Sequence, residues 1–210
     1  MGTEIQSVGF KARRHHAIDK DGATATIAAL DPPVDFAAVR SQEAVKRAIV
    51  IALAGNHSVI LIGPGGHGKT MLTRAAKAIR PIQIDEFTID PKDPARMQVL
   101  QQFVQNDIHI EVPPVPYREL TTKRTGTDSR RVREQVEVAI EWGEKHKDLS
   151  LSDSVLLLGK QAYDELGLSA RAFTVAVRIS RTIANLEQSE QIRDIHFAEA
   201  VQYRLLDRKF

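Results

Sequence analysis

The residues best suited to chemistry lie together in Gly63-Pro64-Gly65-Gly66-His67-Gly68-Lys69-Thr70. Their spacing fits G-x-x-x-x-G-K-S/T. The apolar run Val59-Ile60-Leu61-Ile62 precedes them, and a helix-like segment from Met71 to Ile79 follows. A polyphosphate brings several negative charges that must be held without bulky side chains intervening. Glycines let backbone N–H groups turn inward as an anion nest, and the N-terminus of the next helix adds partial positive charge. Lys69 can then reach the β- and γ-phosphates while the Thr70 hydroxyl ligates Mg²⁺. A plain glycine turn would explain the glycines but not the lysine–threonine pair. Gly63 to Met71 is therefore read as a nucleotide-phosphate site, with ATP and Mg²⁺ as the expected ligands.

The elements that must position this loop can be read around it. Ser41 is a plausible N-cap for a helix carrying Ala44, Val45, Ala48, Ile49, Ile51, Ala52 and Leu53, closed by Gly55-Asn56. The unbroken apolar run before the loop predicts a strand buried on both faces, flanked by others. Ile82–Ile89 alternates like a strand and is broken by Pro91 and Pro94, and a short helix is expected over 95–105. In Asp107–Val112 the residues Ile108, Ile110 and Val112 alternate with polar ones, which predicts another strand. Pro113, Pro114 and Pro116 make a stiff exit. Helices are predicted over 129–146, 152–166, 169–186 and 194–206, with Ser169 as an N-cap, and short loops between them make a small bundle. Residues 1–33 read as a loosely structured arm with a short strand at 24–28. The expected division is 1–33 arm, 34–116 α/β core and 117–210 helical domain.

Composition narrows the class. An apolar content of 42% with 27% charged residues is that of a globular protein with one sizeable core. The absence of cysteine excludes disulfides and cysteine metal sites. No apolar run approaches the length of a membrane span and no signal peptide opens the chain, so no membrane role and a cytoplasmic location are expected. A net charge of +2 does not argue for nucleic acid. The clusters Lys11–His16 and Arg130-Arg131-Val132-Arg133 are read as solvated charge first and as phosphate contacts second, with Arg130, Arg131 and Arg133 the first candidates for any DNA contact. His15, His16, His57, His67 and His109 form no spaced ligand set and read as surface or packing residues. His67 differs only in lying inside the phosphate loop, where its charge would make nucleotide affinity pH-dependent.

Two regions resemble the magnesium-chelatase-like AAA+ ATPases, which include the chelatase I subunit and the competence-type branch-migration helicases. One runs from Asp35 through Val39-Arg40-Ser41-Gln42-Glu43-Ala44 to the loop and is similar to the family's entry helix, with Ser41 in place of the usual glycine. The other joins Asp107–Pro113 to Gly167-Leu168-Ser169-Ala170-Arg171-Ala172, Arg181–Leu186 and Glu199–Arg204. The resemblance implies an α/β P-loop NTPase core of AAA+ type, with a C-terminal all-α lid bundle and the nucleotide between them. Val39, Arg40 and Gln42 would lie near the adenine. Arg171 would take the sensor 2 position and reach the γ-phosphate.

The chain departs from the family pattern inside the core. Only 36 residues separate Thr70 from Asp107. At about five to six residues per strand and eleven per helix, that length holds roughly two or three elements. A shortened parallel sheet of about three or four strands is expected. The Walker B candidate is Ile82-Gln83-Ile84-Asp85-Glu86, with Asp85 holding Mg²⁺ through water and Glu86 polarising the attacking water. A solvated acidic turn is the other reading of that pair. Phe103-Val104-Gln105-Asn106 stands where the family carries Leu-Leu-Asp-Arg-Ile, so the family arginine has no counterpart. Two functions follow. One is an ATP-binding AAA+ protein with slow hydrolysis, self-associating or assembled with another AAA+ subunit, and coupled to a protein partner or, by family analogy, DNA. The other is a non-catalytic nucleotide-sensing module that joins a full-length AAA+ ATPase.

Overall fold

A computed structural model describes residues 34–89, 96–120 and 126–207. The arm 1–33, its expected strand and the Lys11–His16 cluster lie outside the described residues. After a 3-10 turn at Phe36–Ala38 come α1 (Glu43–Gly55), β1 (Val59–Gly63), α2 (Lys69–Ile79), β2 (Ile84–Thr88), α3 (Arg96–Leu100) and β3 (Ile108–Glu111). Helices follow: α4 (Tyr117–Leu120), α5 (Ser129–Lys145), α6 (Asp153–Leu166), α7 (Ala170–Leu186) and α8 (Asp194–Gln202). None of the described helices is long and apolar enough to cross a membrane.

The three strands are parallel in the order β2-β1-β3. β1 is central and buried throughout, as its unbroken apolar sequence requires. Strand alternation splits its side chains between two cores. Val59 and Leu61 join the main apolar cluster, whereas Ile60 and Ile62 join a smaller one with Phe87, Leu100 and Leu206. Register pairs Ile60 with Asp85 and Leu61 with Glu86.

α1 is apolar nearly all round because it is covered nearly all round. Val45, Ala48, Ile49, Ile51, Ala52 and Leu53 are buried, and both α5 and α7 pack on it. The main cluster therefore runs without a break from β1 through α1 into α5, α7 and α8. Arg47 reinforces the join with a forked pair to Glu199, 3.0 and 3.1 Å. Gly55 ends α1 for a steric reason. A Cβ there would stand 2.2 Å from His57 Nε2 and 2.4 Å from Thr182 Oγ1, two atoms that are themselves hydrogen-bonded at 2.9 Å. Asn56 makes the left-handed turn.

Several expected boundaries shift. Ser41 does not cap α1. The N-cap is Gln42, and both residues are left-handed, with φ of 60° and 62°. The expected 95–105 helix splits into α3 and a 3-10 turn at Gln101–Phe103. The last helix stops at Gln202 and a 3-10 turn at Leu205–Asp207 follows. By contrast Ser152 and Ser169 cap α6 and α7 through the N–H groups of Val155 and Ala172, as serine N-caps do.

The N-terminal ends of β1 and β3 are sewn together. The Asp107 carboxylate accepts from the Ser58 N–H at 3.1 Å and the Ser58 hydroxyl at 3.2 Å. Burial pushes its pKa up, but the His57 ring nitrogen 3.8 Å away and the hydrogen bonds from Ser58 outweigh that and hold it at about 2. Arg204, 1% exposed, donates to the carbonyls of Val104, Asn106 and Asp107.

Candidate functional site

The glycine-rich loop leaves the opposite, C-terminal end of β1. Gly66 and Gly68 have φ of 80° and 84°, and a Cβ at either would meet nothing within 4 Å. Left-handed backbone, not crowding, explains both glycines. Gly68 is the N-cap of α2 and offers no side chain to it, so the first N–H groups of that helix lack a side-chain cap. Gly63 answers a different need, since its Cβ would come 2.7 Å from the Val112 carbonyl oxygen.

Lys69 begins α2 and folds back under the loop. Its ammonium donates to the Gly63 and Pro64 carbonyls, both at 2.8 Å. Burial pushes its pKa down, while the Glu86 charge raises it. Thr70, one residue on, donates its hydroxyl to Glu86 Oε2 at 2.7 Å. A hydroxyl and a carboxylate oxygen side by side are the hard donors that Mg²⁺ takes.

Asp85 stands elsewhere. Its carboxylate accepts from Asn106 Nδ2 at 2.8 Å and Gln83 Nε2 at 3.2 Å, on the face of the sheet opposite Glu86. Consecutive strand residues point to opposite faces, so Asp85 and Glu86 cannot share one ion. The alternation of β2 carried that signal, because Ile84 and Glu86 fall on one side and Asp85 and Phe87 on the other.

The other expected residues divide as clearly. Gln42 reaches the loop, donating to the His67 carbonyl at 3.0 Å and the Pro113 carbonyl at 2.9 Å. Sequence reasoning placed it near a base and missed this contact. The His67 ring lies 3.2 Å from the Val112 carbonyl through Nδ1, which must carry the proton to donate. Val39 is buried, Arg40 donates to the Glu119 carbonyl at 3.4 Å, and Met71 is exposed on α2. Arg171 donates to the Gln105 carbonyl at 2.8 Å, before the start of β3. At ~3.3 Å per residue, five-residue β1 puts roughly 13 Å between that end of the sheet and the loop, so Arg171 and Lys69 are not brought together. In the Arg130–Arg133 cluster, Arg130 pairs with Glu134 and Arg133 donates to the Ala78 carbonyl.

Comparison with known proteins decides the lineage. The family model described as magnesium chelatase, subunit ChlI, matches residues 35–118, and that of the ChlI C-terminal region matches 118–204. The two abut and cover the loop, the sheet and the helices behind it. The chain belongs to the magnesium-chelatase-like family. It is a shortened member: among the described residues the sheet has three strands, with 36 residues between Thr70 and Asp107. Membership implies an AAA+ nucleotide-binding protein. Among its relatives, competence protein ComM of Haemophilus influenzae is 36% identical over 117 residues, 49% of this chain and 23% of that protein. The uncharacterized proteins YifB of Salmonella typhimurium and Escherichia coli are each 49% identical over 43 residues, 20% of this chain and 8% of theirs. The aligned part of the chain thus spans less than a quarter of the length of these relatives.

Proposed function

We propose that this magnesium-chelatase-like chain binds ATP with Mg²⁺ on the loop Gly63–Met71 and hydrolyses it slowly. The observation that carries the reading is the 2.7 Å contact between Thr70 and Glu86 beside a loop whose Gly66 and Gly68 are left-handed and uncrowded. The phosphates would lie on the N–H groups of the loop and of the α2 N-terminus, with Lys69 exchanging its two carbonyl partners for β- and γ-oxygens. Thr70 and Glu86 would hold Mg²⁺, which supplies neutralisation of the phosphate charge. In this reading Glu86, rather than Asp85, is the carboxylate of the site. Val39, Arg40 and Gln42 border the nucleoside side.

Slow turnover is the expectation from two arginine positions of the family pattern. Arg171 is engaged at the far end of the sheet, and the family arginine before β3 has no counterpart in Phe103-Val104-Gln105-Asn106. Arginine fingers raise phosphoryl-transfer rates by roughly 10³–10⁵, so a site without one turns over slowly. The helices α5–α8 would act as the lid, and assembly with further AAA+ subunits would follow the family.

Calorimetric titration of Mg·ATP into wild type and Lys69→Ala tests the binding. Removing the charged donor should weaken ATP by roughly a hundredfold, the value of its charge-assisted hydrogen bonds. Equal affinity in both proteins, or none in either, rejects the reading. Phosphate release should fall in Glu86→Gln and stay near wild type in Asp85→Asn; the reverse pattern would return the metal role to Asp85.

A further inference from the structure

Gln42 is 7% exposed, and its backbone sits in the left-handed region at φ 62°, ψ 39°. Such a conformation is unfavourable for a non-glycine residue, so something must hold it there. Its amide nitrogen donates to two carbonyls, those of His67 and Pro113. Since both partners are acceptors, the orientation of the amide is determined: the NH₂ group faces them. The second partner anchors the brace. Val112, just before Pro113, donates its N–H to the Ile62 carbonyl at 2.7 Å and accepts from the His67 ring. Gln42 therefore ties the phosphate loop to the rigid exit of β3.

The first partner is the informative one. In a trans peptide the C=O and N–H point in opposite directions. Holding the His67 carbonyl toward Gln42 turns the Gly68 N–H the other way, away from Gln42. We propose that Gln42 is a positioning residue for bound phosphate. It presets the Gly68 N–H for the anion and does not act by reading the base. The inference rests on the reading of Gly63–Thr70 as a phosphate site.

Inorganic tripolyphosphate, which has no base, separates this role from adenine contact. Gln42→Asn keeps an amide and a residue type that tolerates left-handed backbone, but is one methylene too short to reach both carbonyls. Gln42→Met keeps the length and removes the donors. Both proteins should bind tripolyphosphate and ATP about tenfold more weakly than wild type, by the same factor for the two ligands. Circular dichroism on the same samples gives the folded fraction to which affinities are referred. Loss of ATP affinity with tripolyphosphate unchanged would overturn the proposal in favour of a base contact. Wild-type affinity in either folded variant would overturn it outright. Failure of the underlying site looks different: wild type and Lys69→Ala would then bind tripolyphosphate equally or not at all.

Discussion

Lys69 and Arg204 are buried cations that donate to backbone carbonyls, and they stand at opposite ends of the same sheet. Lys69 is 6% exposed and bonds Gly63 and Pro64 at the C-terminal end of β1. Arg204 is 1% exposed and bonds Val104, Asn106 and Asp107 before the N-terminal end of β3. Their surroundings differ. The lysine's carbonyls belong to a loop whose Gly65 and Gly66 are exposed, so water or a phosphate can reach that end. The arginine's carbonyls sit beside Asn106, only 2% exposed, with Asp107 and Ser58 locked to each other. A compact ammonium on a flexible stem can change partners, whereas a planar fork committed to several acceptors cannot do so cheaply. One end of the sheet is built to exchange partners and the other to keep them, in line with the rule that α/β sheets bind ligands beyond the carboxyl ends of their strands.

The largest predicted effect sets the two cations against each other. Arg204→Met should destabilise the chain by about 3–5 kcal/mol, because it leaves buried carbonyls and Asp207 without their cation. Lys69→Met should shift stability by less than about 1 kcal/mol, since its carbonyls can be hydrated, while ATP binding weakens by roughly a hundredfold. Urea unfolding of both variants measures this. Comparable losses of stability would mean that the loop end is as closed as the other.

A second contrast lies in acid. His109 is 1% exposed on β3, and its Nδ1 accepts from the Leu206 N–H at 3.2 Å. Burial, reinforced by the Arg204 charge, pushes its pKa down to about 3 despite the opposing charge of Asp107. Below the unfolded pKa of about 6.5, the unfolded chain takes up a proton that the native state refuses, so stability falls with pH. The loss should be about 2 kcal/mol between pH 7.5 and 5, at up to about 1.4 kcal/mol per unit. Asp107, held at about 2, adds its own loss only below about pH 4, as the pH passes the unfolded carboxylate and approaches the native value. His109→Asn keeps an acceptor for Leu206 and should flatten the slope above pH 5. An unchanged slope would show that His109 protonates in the native state.

Legibility in the sequence followed the locality of the physics. Val59–Gly63, the loop and the Ser169 cap of α7 depend on neighbours a few residues away, and the sequence alone was enough to place them. α8 stops before Leu206 for a reason that no local pattern carries: the Tyr203 carbonyl accepts from the His109 N–H of β3. The roles of Asp85 and Glu86 depend on which face of β2 meets α2, a tertiary fact. Arg171 was expected at the phosphates because its helix start matched a family pattern. Its place depends on how α7 packs on α1, which carries it to the far end of the sheet. Gln42 meets partners 25 and 71 residues away.

The smallest predicted effect tests where the loop end stores strain. Four left-handed residues, Ser41, Gln42, Gly66 and Gly68, gather around the loop. Glycine at the last two carries no penalty, and Gln42 is held by its two carbonyl partners. Ser41 has φ 60° where the family carries glycine, and its side chain caps no helix N–H. Left-handed backbone costs a residue with a Cβ about 1–2 kcal/mol, part of which glycine returns through greater freedom in the unfolded chain. Ser41→Gly should therefore stabilise the protein by about 0.5–1 kcal/mol, read as a rise in urea midpoint at constant slope. Nucleotide affinity should stay unchanged, because the Gln42 brace keeps the same backbone. A lower midpoint would mean that the Ser41 hydroxyl makes a compensating bond. A higher midpoint with weaker binding would mean that the strain itself helps to aim Gln42 at the loop.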